Sequence, residues 1–186
     1  AYFLEGTPEF QAYVGDMLWA QDYAKANRDL MVDRGLREVT AFLGFGREVR
    51  RIDCHHNFTE REVHGGDELW ITRKGAIKAD VGDLGVIPGS MGTRSYIVKG
   101  RGNTDSWTSC SHGAGRRMSR TKAKKAFTTD DLAHQMEGKV WLAEKADRLV
   151  DEIPSAYKDI DQVMADQTDL VEVQHTLHQV LNYKGT

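Results

Sequence analysis

The hydrophobic pattern of this 186-residue chain changes period near Glu48, and that change limits the folds open to it. Before it, Phe10, Tyr13, Val14, Met17 and Leu18 fall on one helical face. Thr7-Pro8 just upstream suits an N-cap followed by proline in the first turn. The helical pattern continues through Ala24 towards Asp33; Gly35 is expected to break it, with a short second helix over residues 37–43. After Glu48, β-prone runs (Leu69-Trp70-Ile71-Thr72, Val86-Ile87, Ser95-Tyr96-Ile97-Val98) alternate with Gly, Pro and Asp, the punctuation of strands and loops. Residues 118–127 suit another helix, and Thr129-Asp130-Asp131 caps one that stops at Gly138. Val171, Val173, His175, Leu177, Leu181 and Tyr183 alternate along a final strand, with Gln179 the exception. The expectation is an α+β fold, mixed sheets with flanking helices in one unit.

Charge is distributed unevenly. Residues 94–125 hold nine Lys and Arg against one acid, Asp105, a block of +8 in a chain of net charge −3, which leaves −11 elsewhere. A basic block interleaved with glycines and hydroxyls in an otherwise acidic chain points to phosphate or nucleic acid. No apolar run approaches membrane-spanning length and no charged-then-apolar leader is visible; with only two cysteines and no disulfide framework, the expected location is the reducing cytoplasm. Two cysteines, Cys54 and Cys110, form no disulfide framework. Opening at Ala1 rather than Met, the chain reads as a processed protein or a piece of a longer one.

Within the basic block lies Ser109-Cys110-Ser111-His112-Gly113-Ala114-Gly115-Arg116-Arg117-Met118-Ser119-Arg120. Glycines let the backbone approach a bulky anion and turn successive N–H groups towards its oxygens. Arginines meet phosphate with planar, forked donors, and an imidazole among them can attack what they bind. A glycine-rich turn with a solvated basic patch is the competing reading. Pro88-Gly89-Ser90-Met91-Gly92-Thr93-Arg94-Ser95-Tyr96 is a second phosphate-friendly loop, although it lacks the GK[ST] ending of a P-loop. Asp53-Cys54-His55-His56-Asn57 gathers potential ligands for zinc, manganese or another transition metal, but no second pair returns at the spacing of a closed zinc site. Adjacent histidines on a strand face opposite ways, so at most one should reach a given metal. His64 falls in a glycine-flanked turn, His134 in a helix, and His175 among valines on a strand face, which predicts a core position. No Gly-x-Ser-x-Gly elbow, His-Glu-x-x-His pair or Rossmann fingerprint is present, so hydrolase and dehydrogenase readings have no anchor.

Several blocks in order resemble the RtcB family of RNA ligases, tRNA-splicing ligases that use GTP and manganese. They are His56-Asn57, Thr72-Arg73-Lys74-Gly75-Ala76, Pro88-Gly89-Ser90-Met91-Gly92-Thr93, Ser95-Tyr96, His112-Gly113-Ala114-Gly115-Arg116, Met118-Ser119-Arg120 and Lys184-Gly185. The helix bearing Tyr13, Met17, Tyr23-Ala24 and Asn27-Arg28 is similar as well. The resemblance implies an enzyme that joins RNA 2′,3′-cyclic phosphate or 3′-phosphate ends to 5′-hydroxyl ends, in tRNA splicing or RNA repair. A guanylyl-histidine would be the intermediate, with His112 as its nucleophile. His56 would be a manganese ligand, with Asn57 touching the nucleotide. Pro88, Gly89, Ser90, Met91, Ser95, Gly113, Ala114 and Gly115 would cradle GMP, Lys184 would reach the guanine and Tyr157 would stack on it. Arg116, Arg117 and Arg120 are candidates for RNA phosphates or the leaving pyrophosphate, chosen for their charge and not for the family pattern.

The resemblance also implies a missing part. Family members carry a long N-terminal portion that supplies an aspartate, a cysteine and two further histidines for metals, and an Asn-His-Phe stretch near guanine. Cys54 does not sit where the family's bridging cysteine does, and reads as a small buried residue. Residues 1–186 therefore read as the C-terminal part of the catalytic domain, partnered by the missing N-terminal half and by RNA. Two other readings stay open: a non-catalytic module that binds guanine nucleotide or RNA, and a metal-dependent phosphoesterase using His56 and His112.

Overall fold

A computed structural model describes residues 2–185. The elements are helices and small antiparallel sheets, the expected α+β mixture. They group into two compact units, residues 1–74 and 75–186, where the sequence reads as one.

The first unit is one long helix and one hairpin. Helix α1 spans Pro8–Leu43. Thr7 caps it by accepting the Phe10 N–H at 3.3 Å, Pro8 fills the first turn, and Gly44 ends it in the left-handed region at φ +74°. Gly35 does not break it: the helix runs unbroken where two were expected. One interior glycine costs about 1 kcal/mol relative to alanine, less than the hydrogen-bonded turns on both sides recover. Strands β1 (Asn57–His64) and β2 (Asp67–Lys74) pair antiparallel, with Thr59 opposite Thr72. Gly65 and Gly66 join them, both at positive φ, as a two-residue hairpin turn requires. Polar side chains fasten helix to hairpin. The Gln21 amide donates to the Thr59 carbonyl at 3.0 Å and accepts the Thr59 N–H, standing in for a neighbouring strand. Arg28 forks onto Asp53 at 2.7 and 3.3 Å, and Arg51 reaches Glu48 and Asp33, each at 2.6 Å.

In the second unit, β3 (Ala76–Lys78) pairs with β6 (Ser109–Ser111), while β4 (Leu84–Pro88), β5 (Ser95–Gly100) and β7 (Val171–Leu177) form an antiparallel sheet in that order. Short helices α2 (Arg120–Ala126), α3 (Thr129–Gln135), α4 (Ala146–Leu149) and α5 (Ile160–Ala165) lie between β6 and β7. Ser119 caps α2, and Thr128 with Asp131 forms a reciprocal capping box on α3. The core centres on Met91, Ala123, Leu132, Met136, Leu149, Ile153 and Ala156. The final strand is shorter and more exposed than expected. It ends at Leu177, and Leu181 makes only an isolated bridge to Val140. As an edge strand, β7 buries Val171 alone, so His175 is exposed and is not a core histidine. Cys54 is partly buried, Cys110 is buried, and neither forms a disulfide. No helix among the described residues is long and apolar enough to cross a membrane.

Candidate active site

The two glycine-rich loops meet in the second unit. Strand β6 delivers Ser111, whose N–H is held by the side-chain amide oxygen Oε1 of buried Gln167 at 3.0 Å, and His112 follows at once. The Ser111 hydroxyl accepts the Gly113 N–H at 3.2 Å and donates to the Gly113 carbonyl at 2.6 Å, folding residues 111–113 into a tight turn. Ala114 then donates to the Pro88 carbonyl at 3.0 Å, the bond that joins one loop to the other. A Cβ on Gly113 would lie 3.0 Å from that same carbonyl, a tight contact that glycine avoids. Residues 88–95 are closed by the Gly89 N–H on the Arg94 carbonyl at 2.9 Å, and the Ser90 N–H on the Thr93 hydroxyl at 2.6 Å. A Cβ at Gly89 would collide with the Thr93 hydroxyl. His112 is half-buried, and Gly75 at φ +73° brings backbone up to its imidazole: a Cβ there would lie 3.9 Å from Cε1 and Nε2. Met91 has its side chain in the core, so only its backbone could serve a ligand.

A third segment is tied to the same loop. The Lys158 N–H donates to the Gly115 carbonyl at 2.9 Å, and the Arg117 N–H to the Ala156 carbonyl at 3.0 Å, which fixes Tyr157 beside residues 115–117. The Arg116 guanidinium covers one face of the Tyr157 ring at 4.8 Å and donates to its hydroxyl at 3.0 Å. Tyr157 in turn donates to the buried Glu152 carboxylate at 2.6 Å, and Lys184 reaches the same oxygen at 3.2 Å. Arg120 pairs with Glu152 at 2.9 Å and Asp151 at 3.2 Å, while Lys124 pairs with Asp151 at 3.5 Å. Burial pushes the Glu152 carboxyl up, but the Tyr157 hydroxyl and the Lys184 and Arg120 charges overcome it, and its pKa lies below the usual carboxylate value. The Tyr157 phenol is raised, by burial first and then by Glu152.

The structure therefore assembles His112, Gly113, Ala114 and Gly115 with Pro88, Gly89 and Ser90, and separately ties Tyr157 to Lys184. Ser95 opens β5, opposite Pro88. The three arginines differ. Arg116 and Arg120 are engaged by the Asp151-Glu152 pair, whereas Arg117 is exposed and places its Nε on the Ser155 carbonyl at 2.7 Å. His56 and Asn57 belong to the first unit, both exposed, with Asn57 opening β1 opposite Lys74. Beside them the Arg28 guanidinium lies 3.2 Å from His55 Nδ1, and burial followed by that charge lowers the His55 pKa. Among the described residues, no three His, Cys, Asp or Glu side chains converge to hold a metal ion.

Glu152, Asp151 and Gln167 were not singled out by the sequence reading. The acids had a signal: two carboxylates stand between apolar Leu149-Val150 and Ile153, where only partnered charge can be buried. Gln167 had none.

Residues 1–185 match the family described as tRNA-splicing ligase RtcB. The chain belongs to the RtcB family. Similar relatives include the RNA-splicing ligase RtcB of Escherichia coli strain K12, 49% identical over 195 residues that take in 100% of this chain and 46% of the relative. The tRNA-splicing ligase RtcB of Aeropyrum pernix is 35% identical over 183 residues, 84% of this chain and 38% of the relative. The chain thus spans about half the length, or less, of these RtcB relatives.

Proposed function

We propose that this chain is the nucleotidyl-transfer part of an RNA ligase that joins a 2′,3′-cyclic phosphate or 3′-phosphate RNA end to a 5′-hydroxyl end. Its nucleotide would be GTP, its metal manganese and its setting the cytoplasm, in tRNA splicing or RNA repair. RtcB relatives named as RNA- and tRNA-splicing ligases support the substrate class. One observation supports the nucleotidyl-transfer reading: the Ala114 N–H on the Pro88 carbonyl joins two phosphate-friendly loops beside His112.

In this reading a His112 ring nitrogen, unprotonated, attacks the α-phosphate of GTP. A P–N bond forms as the bond to pyrophosphate breaks, which leaves guanylyl-histidine. The GMP moiety passes to the RNA 3′-phosphate, and the 5′-hydroxyl of the second RNA displaces GMP as the new phosphodiester forms. A cyclic phosphate end would first be hydrolysed. Backbone donors of the interlocked loops would meet the phosphate oxygens before reaction, so little reorganisation is needed as charge develops. Lys184 and Tyr157 would take the base, and Arg117, exposed and with its Nε on the Ser155 backbone carbonyl, is the best placed of the three arginines for an RNA phosphate. Metal chemistry would need ligands beyond His56.

His112→Ala should abolish joining of a 3′-phosphate RNA to a 5′-hydroxyl RNA in the protein at its natural length, while RNA affinity stays within about threefold. Joining by that variant would refute the assignment. RNA binding without joining by the unaltered protein would favour the binding-module alternative, and phosphate release from a cyclic end without GTP would favour the phosphoesterase.

A further inference from the structure

We propose that Glu152 is a positioning residue that sets Tyr157 and Lys184 in place for the base, and so helps to select guanine over adenine. The inference rests on the nucleotide reading above. Glu152 is buried at 7% exposure between Val150 and Ile153, a costly place for a charge unless every lone pair is used. Its two oxygens divide their partners. One faces the basic side, with Arg120 at 2.9 Å and Arg116 at 3.7 Å. The other accepts from both the Tyr157 hydroxyl, at 2.6 Å, and the Lys184 ammonium, at 3.2 Å.

That second oxygen links two residues 27 positions apart in sequence, the two that the family resemblance assigns to the base. A phenol pinned at its hydroxyl, with the Arg116 guanidinium over its ring and the core packed against it, is held in one orientation, so its accessible part would meet a base at a fixed place. Lys184 spends one of its three N–H donors on Glu152, and its side chain is 40% exposed, so the others can serve a ligand. Guanine presents two acceptors, O6 and N7, on the edge where adenine presents an amino donor beside N7. An ammonium held at a fixed point beside the stacking ring favours the first and opposes the second. Asp151, the other buried acid, takes Arg120 and Lys124 instead and has no such link to Tyr157 or Lys184.

The test compares steady-state joining of a 3′-phosphate RNA to a 5′-hydroxyl RNA by the natural-length protein with that by Glu152→Gln, Glu152→Asp, Lys184→Met, Tyr157→Ala and the Glu152→Gln/Lys184→Met double variant, with GTP or ATP as the varied nucleotide. Thermal melts run alongside. Glu152→Gln should raise the KM for GTP about tenfold with kcat within about threefold, and lower the GTP-over-ATP preference by a similar factor. Glu152→Asp keeps the charge but shortens the reach; it should raise KM by less and carries the test if the Gln variant does not fold. The double variant should match Lys184→Met alone, because residues acting through one another are not additive. If Lys184→Met and Tyr157→Ala raise KM while both Glu152 variants leave KM and preference unchanged, the positioning role is wrong and the nucleotide reading stands. If neither Lys184→Met nor Tyr157→Ala moves KM, both fall together.

Discussion

The two units reach stability by different routes. The second buries Ile87, Val98, Leu132 and Ile153 almost completely and surrounds two buried acids with cations. Along the first unit's helix α1, Val14 is buried, but Trp19, Tyr23, Met31 and Phe42 are exposed at 69%, 65%, 64% and 89%. What fastens that helix to its hairpin is a set of side-chain hydrogen bonds, Gln21 on Thr59 above all. The contrast teaches where precision is concentrated: the unit with the packed core is the one that holds the interlocked loops and His112. A nucleophile must be held in line with its target, and packed side chains confine it better than exposed ones do.

The sharpest way to break the comparison is to damage each unit equally. Leu132→Ala in the second unit should cost about 2–5 kcal/mol, the price of a cavity in a close-packed core. Phe42→Ala in the first should change stability by less than about 0.5 kcal/mol, because its ring is already solvated. Equal losses in thermal or urea melts would mean that helix α1 is better packed than its exposure indicates. Gln21→Ala comes next, expected to cost about 1–3 kcal/mol by leaving the Thr59 backbone without its partner. Hydrogen exchange should rise at Thr59 and not in β4 or β5.

The hairpin also carries a pH dependence. Burial raises the Glu62 carboxyl, but hydrogen bonds from Arg73 and His64 outweigh it and lower its pKa from 4.5 to about 2. A carboxylate depressed on folding stabilises the fold above its unfolded pKa, and that contribution is lost as pH falls through the folded value. The Glu62 contribution should therefore be intact above pH 4.5 and decline between about 4.5 and 2. Glu62→Gln should flatten the pH dependence of stability across that window. An unchanged slope would show that the Arg73 pair contributes nothing measurable.

Much of this was legible in the sequence, for physical reasons that differ by element. The start of α1 followed from Thr7-Pro8, and α3 from its capping residues, because caps are local chemistry. The glycine loops were legible because close backbone approach favours residues without a Cβ: Gly89 has no room for one, and Gly113 lies tight against the Pro88 carbonyl. Gly35 misled because a breaker acts only where the flanking turns cannot carry it. His175 misled because alternation marks a strand but does not say whether a second layer covers it, and β7 is an edge. The Glu152 hub could not be read at all as a hub. It joins residues 116, 120, 152, 157 and 184, and only the folded chain brings those together.

The central claim is that His112, held where the two loops interlock, takes up a guanylyl group. Intact-mass spectrometry of the protein at its natural length, after incubation with GTP and manganese, tests it most directly when followed by peptide mapping. The account predicts a single GMP adduct located on His112 and lost in His112→Ala. An adduct on another residue, or one that persists in His112→Ala, would contradict it.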